Sequence, residues 1–555
     1  MSEGFHLNRA LGPLEHDTSF PYGTWDIEAS DWWNLQMIGV FDGESYFHFR
    51  DIGNFLNHIM RKEYRNFRWF AHFGGRYDLN FVFDYLRDVD NQCSISFYCS
   101  GSMVVQMKIK RNGNITKLCD SFRLLPASLR DLGIAFNVKH KKTSYEFTAM
   151  EYGRELIEYN EQDCRCLYEC LERFYAETGV QSETFATHAM KIFRKDHLKQ
   201  LIWKPRQSVL DFVRPSYHGG RVEVFKSQHD NLTAYDVNSM YPYVMQFPMP
   251  IEHIGESKQL SDSKYGFVNA TVCVPECYIP TLPIRFGKLY FPMGIITGTW
   301  TAGELRNAVE RGCRIEKIHH AEYFHTAPIF ASYISKLYEL KKTATEPTRT
   351  IAKLLLNSFY GKFGQNPTKK VYTTEWEAPH GATPIITPDG IPTGFAYFER
   401  TSNAAYLLPH LASAVTSAAR LHLRDSLTEN SFYCDTDSVF TTESIPVSNE
   451  LGGWSLVGNG ECHFIQPKLY KFKGIWKAKG LNRNESIDAF VAGDVNHGQR
   501  TISIKEALKS GKRATQHVQV EKQLRQEMPK REWIANHSDT RPWTMDEITK
   551  RKVAR

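Results

Sequence analysis

The run Phe432-Tyr433-Cys434-Asp435-Thr436-Asp437-Ser438-Val439-Phe440 constrains this chain more than any other, because it sets two carboxylates one residue apart between short apolar and aromatic segments. The flanks are strand-like, and the Asp-Thr-Asp centre carries the small polar residues of a tight turn, which predicts a β-hairpin with acids at its tip. Like charges this close repel and call for a cation. Mg²⁺ held by one or two carboxylates together with substrate phosphates is the common hard-cation arrangement, so the motif points toward nucleotide chemistry. Taken alone, Asp-x-Asp is also a frequent solvated turn.

A second acid stands in an ordered context upstream, in Leu232-Thr233-Ala234-Tyr235-Asp236-Val237-Asn238-Ser239-Met240-Tyr241-Pro242. The pattern predicts a strand that delivers Asp236 at its end and then turns into a helix, with Tyr241 near whatever the carboxylate holds. Between the two acids, Arg349 through Gly364 reads as a helix on which Lys353, Asn357 and Tyr360, at i, i+4 and i+7, share one face with Arg349 a turn earlier. Such a stripe is often only a wet surface, but Lys, Arg and Tyr together suit a triphosphate and a flat base.

The amino-terminal third has its own acids. Alternation along a strand puts Asp26 and Glu28 of Trp25-Asp26-Ile27-Glu28 on one face. Tyr159 and Asp163 of Tyr159-Asn160-Glu161-Gln162-Asp163 are i and i+4, which a helix would direct to one site. Asp78, closing His72-Phe73-Gly74-Gly75-Arg76-Tyr77-Asp78, would complete a four-carboxylate cluster.

These segments resemble family B DNA polymerases, and they occur in that family's order. Asp236 through Pro242 is similar to the first palm motif, Lys353 through Gly361 to the fingers motif, and Tyr433 through Ser438 to the second palm motif. Tyr217-His218-Gly219-Gly220 resembles the YxGG element between exonuclease and polymerase modules, and Lys468-Leu469-Tyr470 the KxY element that contacts primer. Both elements look like the protein-primed group, which copies linear phage and plasmid genomes from a hydroxyl on a terminal protein. The amino-terminal acids look like a fused DEDDy-type 3′-5′ exonuclease. The resemblance implies an α/β and α+β multidomain chain, an RNase H-like exonuclease followed by a right-hand polymerase of palm, fingers and thumb with insertions.

What the resemblance implies for residues is specific. Asp236, Val237 and Asp437 would hold metal in the polymerase, with Asp435 tuning the site, while Lys341, Arg349, Lys353, Asn357 and Tyr360 would bind the dNTP beside Tyr241, the steric gate against a ribose hydroxyl. Tyr217, Gly219, Gly220, Lys468 and Tyr470 would contact DNA or primer. In the exonuclease, Asp26, Glu28, Asp78 and Asp163 would bind metal, Tyr159 would position the attacking water, and Ser121 and Phe122 of Asp120-Ser121-Phe122-Arg123 would touch the strand. Two Mg²⁺ per centre, with Mn²⁺ as a substitute, are the implied cofactors. Template-primer DNA, dNTPs, a terminal protein and a single-stranded DNA-binding protein are the implied partners. Ala29 and Phe73 depart from the family, which usually has Thr and Asn at these places to grip single-stranded primer. Phe73 could stack on a base instead. The Lys139-His140-Lys141-Lys142 run offers a phosphate-binding lysine or simply a solvated charge run.

Motif positions divide the chain into an exonuclease over 1–178, a first palm part over 179–249, an insertion over 250–334 where a terminal protein would dock, fingers over 335–367, a second insertion over 368–400 suited to a β-hairpin, a second palm part over 401–481, and a thumb with a basic end over 482–555. In the first insertion Tyr265 to Val274 reads as a strand and Ala302 to Arg311 as a helix. At 555 residues, 42% of them hydrophobic, the chain is long enough for several buried cores. From Thr501 onward it carries 13 Lys/Arg against 7 Asp/Glu, an excess equal to the formal net charge of +6, which marks the end of the chain as the expected phosphate-tracking surface. The 11 cysteines show neither a secreted framework nor paired Cys-x-x-Cys ligands, so they read as reduced packing thiols. The start, Met1 to His6, has no signal-like apolar stretch, and no run is long enough to span a bilayer; a cytoplasmic protein, host-cytoplasmic if phage-encoded, with no membrane contact, is the expectation. A family B enzyme that starts from a nucleic-acid primer or without one, and a nuclease or DNA-binding protein with an inert polymerase module, are the other readings.

Overall fold

The computed structural model describes residues 10–30, 33–90, 92–143, 151–481, 486–524, 530–534 and 537–553. The start from Met1 to His6 lies outside them. Two large sheets organise these residues, and each is assembled from stretches far apart in the chain.

The first sheet has ten strands in the spatial order Thr383–Ile386, Pro392–Thr401, Thr368–Thr374, Ser94–Ser100, Met103–Arg111, Asn114–Asp120, Arg68–Ala71, Tyr22–Ser30, Asn34–Phe41 and Tyr46–Phe49. Its centre is parallel, Tyr22–Ser30 beside Arg68–Ala71 beside Asn114–Asp120. The long helix Arg154–Thr178 crosses this centre. Its buried Leu156, Cys166, Leu167, Cys170, Leu171 and Phe174 recur at three- and four-residue spacing, the cysteines packing as small hydrophobes. The helix stops at Gly179, whose φ of 64° lets its N–H reach the Tyr175 carbonyl at 2.8 Å. All eleven cysteines are free thiols.

The second sheet runs Val222–Val224, Ser431–Asp435, Ser438–Thr441, Gln228–Val237, Trp454–Gln466, Leu469–Phe472 and Ile475–Ala478. It places the strand ending near Asp236 between the hairpin of Asp437 and the strand from Trp454. The buried helix Pro409–Asp425 accompanies it. The first insertion is a four-stranded sheet, Met249–Ser257, Arg314–Ala327, Tyr265–Val274 and Gly294–Thr301, followed by the helix Ala302–Glu310. That helix starts with a reciprocal cap: Thr301 Oγ1 accepts from the Glu304 N–H, and the Glu304 carboxylate accepts from the Thr301 N–H, both at 3.2 Å.

Two helices, Ala331–Thr343 and Thr348–Ser358, occupy the interval expected to form the fingers, the first starting ahead of the 335 boundary. Phe193, Phe330, Tyr333, Phe359 and Phe363 knot them to the preceding segment, with ring centroids 4.8–5.9 Å apart.

The 368–400 interval is a hairpin, as its composition suggests, and it joins the first sheet: Val371, Tyr372 and Thr373 pair with Tyr98, Phe97 and Ser96, and the Tyr372 and Phe97 rings stack at 5.3 Å. The sheet edge at Ser94–Ser100 would otherwise present unpaired backbone groups. The end of the chain divides between two cores. Ile502, Ile504, Ala507, Leu508 and Ala514 join the apolar core of the amino-terminal module. Asp84 accepts there from Ala514 N (2.8 Å), Thr515 N (2.9 Å) and Thr515 Oγ1 (2.8 Å). The strands Arg531–Ile534 and Asp539–Pro542 instead pack on the palm, where Thr540 Oγ1 donates to the Phe225 carbonyl at 2.7 Å. Several cations of this segment are committed internally: Arg541 to Glu547 at 2.6 Å, Arg551 to Glu532 at 3.4 Å and Arg513 to Asp88 at 3.4 Å, while Arg531 is buried. Four of the 13 Lys and Arg counted from Thr501 are therefore engaged within the fold.

Candidate active sites

Asp236 lies opposite Ser438 in the antiparallel ladder, and the Val237 N–H donates to the Asp437 carbonyl at 2.7 Å, fixing the two acidic motifs at one offset. The intervening turn holds Thr436 at φ 62°, with its N–H on the Arg221 carbonyl at 2.7 Å. Gly220 lies directly against that turn. A Cβ there would come within 2.7 Å of the Thr436 hydroxyl, so the close approach requires glycine. Tyr217 packs on Gly364, where a Cβ would fall 2.4 Å from its ring, and the exposed Gly219 gives its carbonyl to Arg420 at 3.1 Å.

Burial and then the neighbouring Asp236 charge push Asp437 up to about 6, and burial raises Asp236. Two carboxylates in each other's field, partly desolvated, form a donor set that fits a hard divalent cation. Asp435 is set apart from them. Lys468 Nζ donates to both its oxygens, at 2.7 and 3.0 Å, and the Tyr433 hydroxyl donates to it at 3.2 Å. Tyr470 is half-buried among Tyr433, Phe464 and Phe440 at 5.2–5.6 Å, so its ring supports the Lys468 turn from beneath.

On the fingers side, Lys341 Nζ donates to Ser239 Oγ at 3.0 Å, just after the Asp236 strand. Burial lowers the Lys341 ammonium, and Lys353, Arg349 and Lys342 lower it further, which shows that these cations share one field. Arg349, Lys353 and Asn357 are all exposed. Tyr360 lies past the helix end, in the single turn Tyr360–Lys362, and stacks on Tyr241 at 4.4 Å and 29°.

In the amino-terminal module the carboxylate oxygens of Asp26, Glu28 and Asp163 lie within 4.8 Å of one another. Asp78 accepts from the Ile27 N–H at 3.0 Å, which sets it beside Asp26 but outside that group of three. Burial raises all four, and mutual repulsion adds to it for Asp26, Glu28 and Asp78. One oxygen of Asp163 accepts from Lys142, while Asp163 Oδ1 is buried with no hydrogen-bond partner. An orphaned carboxylate oxygen in such a cluster fits a divalent cation. Lys142 Nζ also donates to the Tyr159 hydroxyl at 2.9 Å, which resolves the basic run: its last lysine belongs to this site.

Phe73 adopts φ 61°, is 39% exposed and stacks on Phe122 at 4.0 Å, forming an aromatic shelf. Ser121 is a correction. Its side chain is fully buried, donating to the Ala71 carbonyl at 3.1 Å and pairing with His72 Nδ1 at 3.0 Å, so it shapes the loop and cannot touch a strand. Ala29 follows an irregularity in the ladder after Glu28.

A family model described as DNA polymerase type B, organellar and viral, matches residues 58–153 and 148–380, more than half of the chain. The chain belongs to this family. It is 27% identical over 425 residues to the DNA-directed DNA polymerase of Enterobacteria phage PRD1, covering 72% of each chain. It is also 25% identical over 366 residues to the DNA polymerase of Bacillus phage phi29, covering 59% of this chain and 60% of that one. A probable DNA polymerase of Ascobolus immersus is 26% identical over 497 residues, of which the match covers 73% of this chain and 40% of the relative. The chain thus spans only about two fifths of the length of the fungal relatives it matches. The phi29 DNA polymerase solved with primer-template DNA and incoming nucleotide superposes with a TM-score of 0.70 at 18% identity, over 91% of this chain and 99% of that one, so the folds agree.

Some residues that build the two sites of this type B polymerase carried no motif signal. Asn160 donates to Glu28 Oε1 at 3.2 Å and to the Asp26 carbonyl at 3.3 Å, and accepts from the Tyr46 hydroxyl at 2.9 Å. Gly39 makes room for it, since a Cβ there would overlap the Asn160 side-chain oxygen. Arg420 Nη2 and Nε both donate to Glu304 Oε1, at 2.6 and 3.0 Å, in a buried pair beneath the Tyr217–Gly220 element. Asn160 adjoins Tyr159 and Glu304 completes the Thr301 capping pattern in the sequence, but the contacts of both, like those of Arg420, are set by packing across long separations. No helix among the described residues is long and apolar enough to cross a membrane.

Proposed function

We propose that this chain is a replicative, template-directed DNA polymerase of the protein-primed type, with a separate 3′-5′ editing exonuclease in its amino-terminal module. The observation that carries the reading is the 2.7 Å bond between Val237 and Asp437, which holds Asp236 and Asp437 together beside the Lys341, Arg349 and Lys353 cations. The phi29 structures in complex with single-stranded DNA, with primer-template and with incoming nucleotides support it on a fold shared with this chain.

Asp236 and Asp437, with Val237, are the residues to hold Mg²⁺ or Mn²⁺ in the polymerase; Asp26, Glu28, Asp78 and Asp163 are those of the exonuclease. When bound, two such ions per centre supply charge neutralisation on phosphate and a more acidic attacking hydroxyl or water. The remaining work belongs to the chain. The fingers cations attract the triphosphate, the Tyr241–Tyr360 stack walls the sugar side of the pocket, and Lys468, held at the rim by Asp435, meets the primer end. In the exonuclease Lys142 offsets the Asp163 charge and orients the Tyr159 hydroxyl. A terminal protein presenting a side-chain hydroxyl, and a single-stranded DNA-binding protein, are the partners beyond DNA and dNTPs.

The test is incubation with Mg²⁺, labelled dNTPs, primed template and candidate terminal proteins. Extension and covalent dNMP attachment should both vanish in Asp437→Asn. Extension that survives the substitution refutes the assigned centre; extension without attachment to any candidate assigns the chain to nucleic-acid or primer-free initiation.

A further inference from the structure

The insertion sheet carries a second cluster of metal-ligand side chains, well apart in sequence from the catalytic acids. Ligand atoms of Glu256, His320 and Glu322 lie within 4.8 Å of one another. Glu256 and Glu322 are direct cross-strand partners in the ladder between Met249–Ser257 and Arg314–Ala327, a juxtaposition of like charges that a bound cation would relieve. His320 joins them from the same face, two residues before Glu322, with Nε2 at 2.8 Å from Glu322 Oε1 and 3.8 Å from Glu256 Oε2. The second Glu322 oxygen is held by His253 Nε2 at 2.5 Å.

His253 and Glu256 are three residues apart, so simple alternation would send them to opposite faces. The ladder is irregular between His253 and Gly255, and that one slip brings both to the Glu322 face. Glu322 itself is only 5% exposed. A tetrahedral zinc site with bonds of about 2.0–2.1 Å spaces its ligand atoms about 3.3 Å apart, a value that the 2.8 and 3.8 Å separations bracket.

We propose that Glu256, His320 and Glu322 bind a divalent transition metal of the zinc class, with a fourth position open to water or to a partner's side chain, and that His253 orients Glu322 for it. An imidazole with two carboxylates selects zinc or cobalt over Mg²⁺, which prefers oxygen alone and an octahedral shell. The Phe212 ring, from the helix leading into the Tyr217–Gly220 element, packs edge-on to His320 at 4.8 Å, so the metal would stiffen the insertion where it meets the palm.

The full-length chain, stripped by chelator and dialysed against Zn²⁺ in excess Mg²⁺, should retain one Zn²⁺ per chain more than His320→Ala does, a difference to which the catalytic carboxylates make no contribution. Cobalt should give the visible band of a four-coordinate nitrogen-oxygen site in the parent and not in His320→Ala. His253→Ala should weaken binding by about 10- to 100-fold. Glu256 is largely exposed, so Glu256→Gln keeps the fold and decides the matter should His320→Ala not fold; it too should lower zinc retention. A parent that keeps no more zinc than the folded variants overturns the proposal and leaves a histidine-carboxylate hydrogen-bond cluster.

Discussion

Arg420→Ala should destabilise the polymerase module and disable extension while sparing degradation of single strands. The Arg420 guanidinium holds Glu304 in two bonds, at 2.6 and 3.0 Å, and reaches the His218 and Gly219 carbonyls at 2.7 and 3.1 Å. Both side chains are almost wholly buried. Removing one partner of such a pair leaves the other charge uncompensated, which costs about 3–5 kcal/mol and, for a module of this size, lowers its melting transition by on the order of 10 °C. Arg420→Lys should recover only part of it, since an ammonium cannot make the same fork. Burial alone would raise Glu304, but the Arg420 charge overrides it and holds the carboxyl below its ordinary range. A depressed carboxyl contributes stability above its unfolded value and loses it as pH falls through the folded one, so the gap between parent and Arg420→Ala should narrow on acidification. Because His218 and Gly219 precede the Gly220 that touches Thr436, primer-template affinity should fall along with stability. Thermal and urea denaturation beside paired extension and single-strand degradation assays test this. A transition within about 1 kcal/mol of the parent would refute the buried-pair argument, and equal loss of both activities would refute the link to the catalytic turn.

Asp437→Asn should abolish extension and leave single-strand degradation intact, and Asp26→Asn with Glu28→Gln should do the reverse; loss of both activities in either folded variant would deny two independent centres. Phe73→Ala should weaken single-strand binding by about 1–3 kcal/mol, measured by fluorescence anisotropy, because the exposed ring stacked on Phe122 offers a base platform; unchanged affinity would make the pair purely structural. Without metal, the raised carboxyls of Asp26, Glu28, Asp78 and Asp163 bind protons that the unfolded chain has released, so the amino-terminal module should lose stability as pH climbs above the ordinary carboxylate range near 4; Mg²⁺ should restore it at neutral pH, and a flat metal-free profile would contradict the burial of these charges. Asp84→Ala, which strands three buried donors at Ala514 and Thr515, should cost about 2–4 kcal/mol and free the 496–522 segment to proteolysis; unaltered protease resistance would show that apolar contacts alone hold it.

The catalytic hairpin was legible because its determinants are local. Asp435-Thr436-Asp437 between strand formers specifies a turn whatever the rest of the chain does, and the strand to Asp236 followed by a helix is equally self-contained. The insertion strand Tyr265–Val274 and the helix from Ala302 follow from alternation and from the Thr301 cap in the same way. What could not be read depends on which atoms meet across long separations. Alternation put Asp26 and Glu28 on one face but said nothing of Asn160, whose amide bridges them, or of Gly39, whose missing side chain admits it. Ser121 looked like a strand contact because its motif does; its burial is set by His72 and the Ala71 carbonyl, and only packing reveals it.

At the end of the chain a charge count does not tell which cations face solvent: Arg531 is buried against Thr540, Arg541 and Arg551 converge on Glu532, and Asp84 of the amino-terminal module accepts from Ala514 and Thr515. The hairpin from Thr368 behaves alike, closing an exonuclease sheet edge that the first 178 residues leave open. Both segments come after the fingers in sequence and both complete the core or the sheet of the amino-terminal module. The amino-terminal module therefore takes the cover of one sheet edge and part of its apolar core from these two segments, while its candidate acids are its own. Stability and chemistry divide the chain along different lines, and motif order reports only the second.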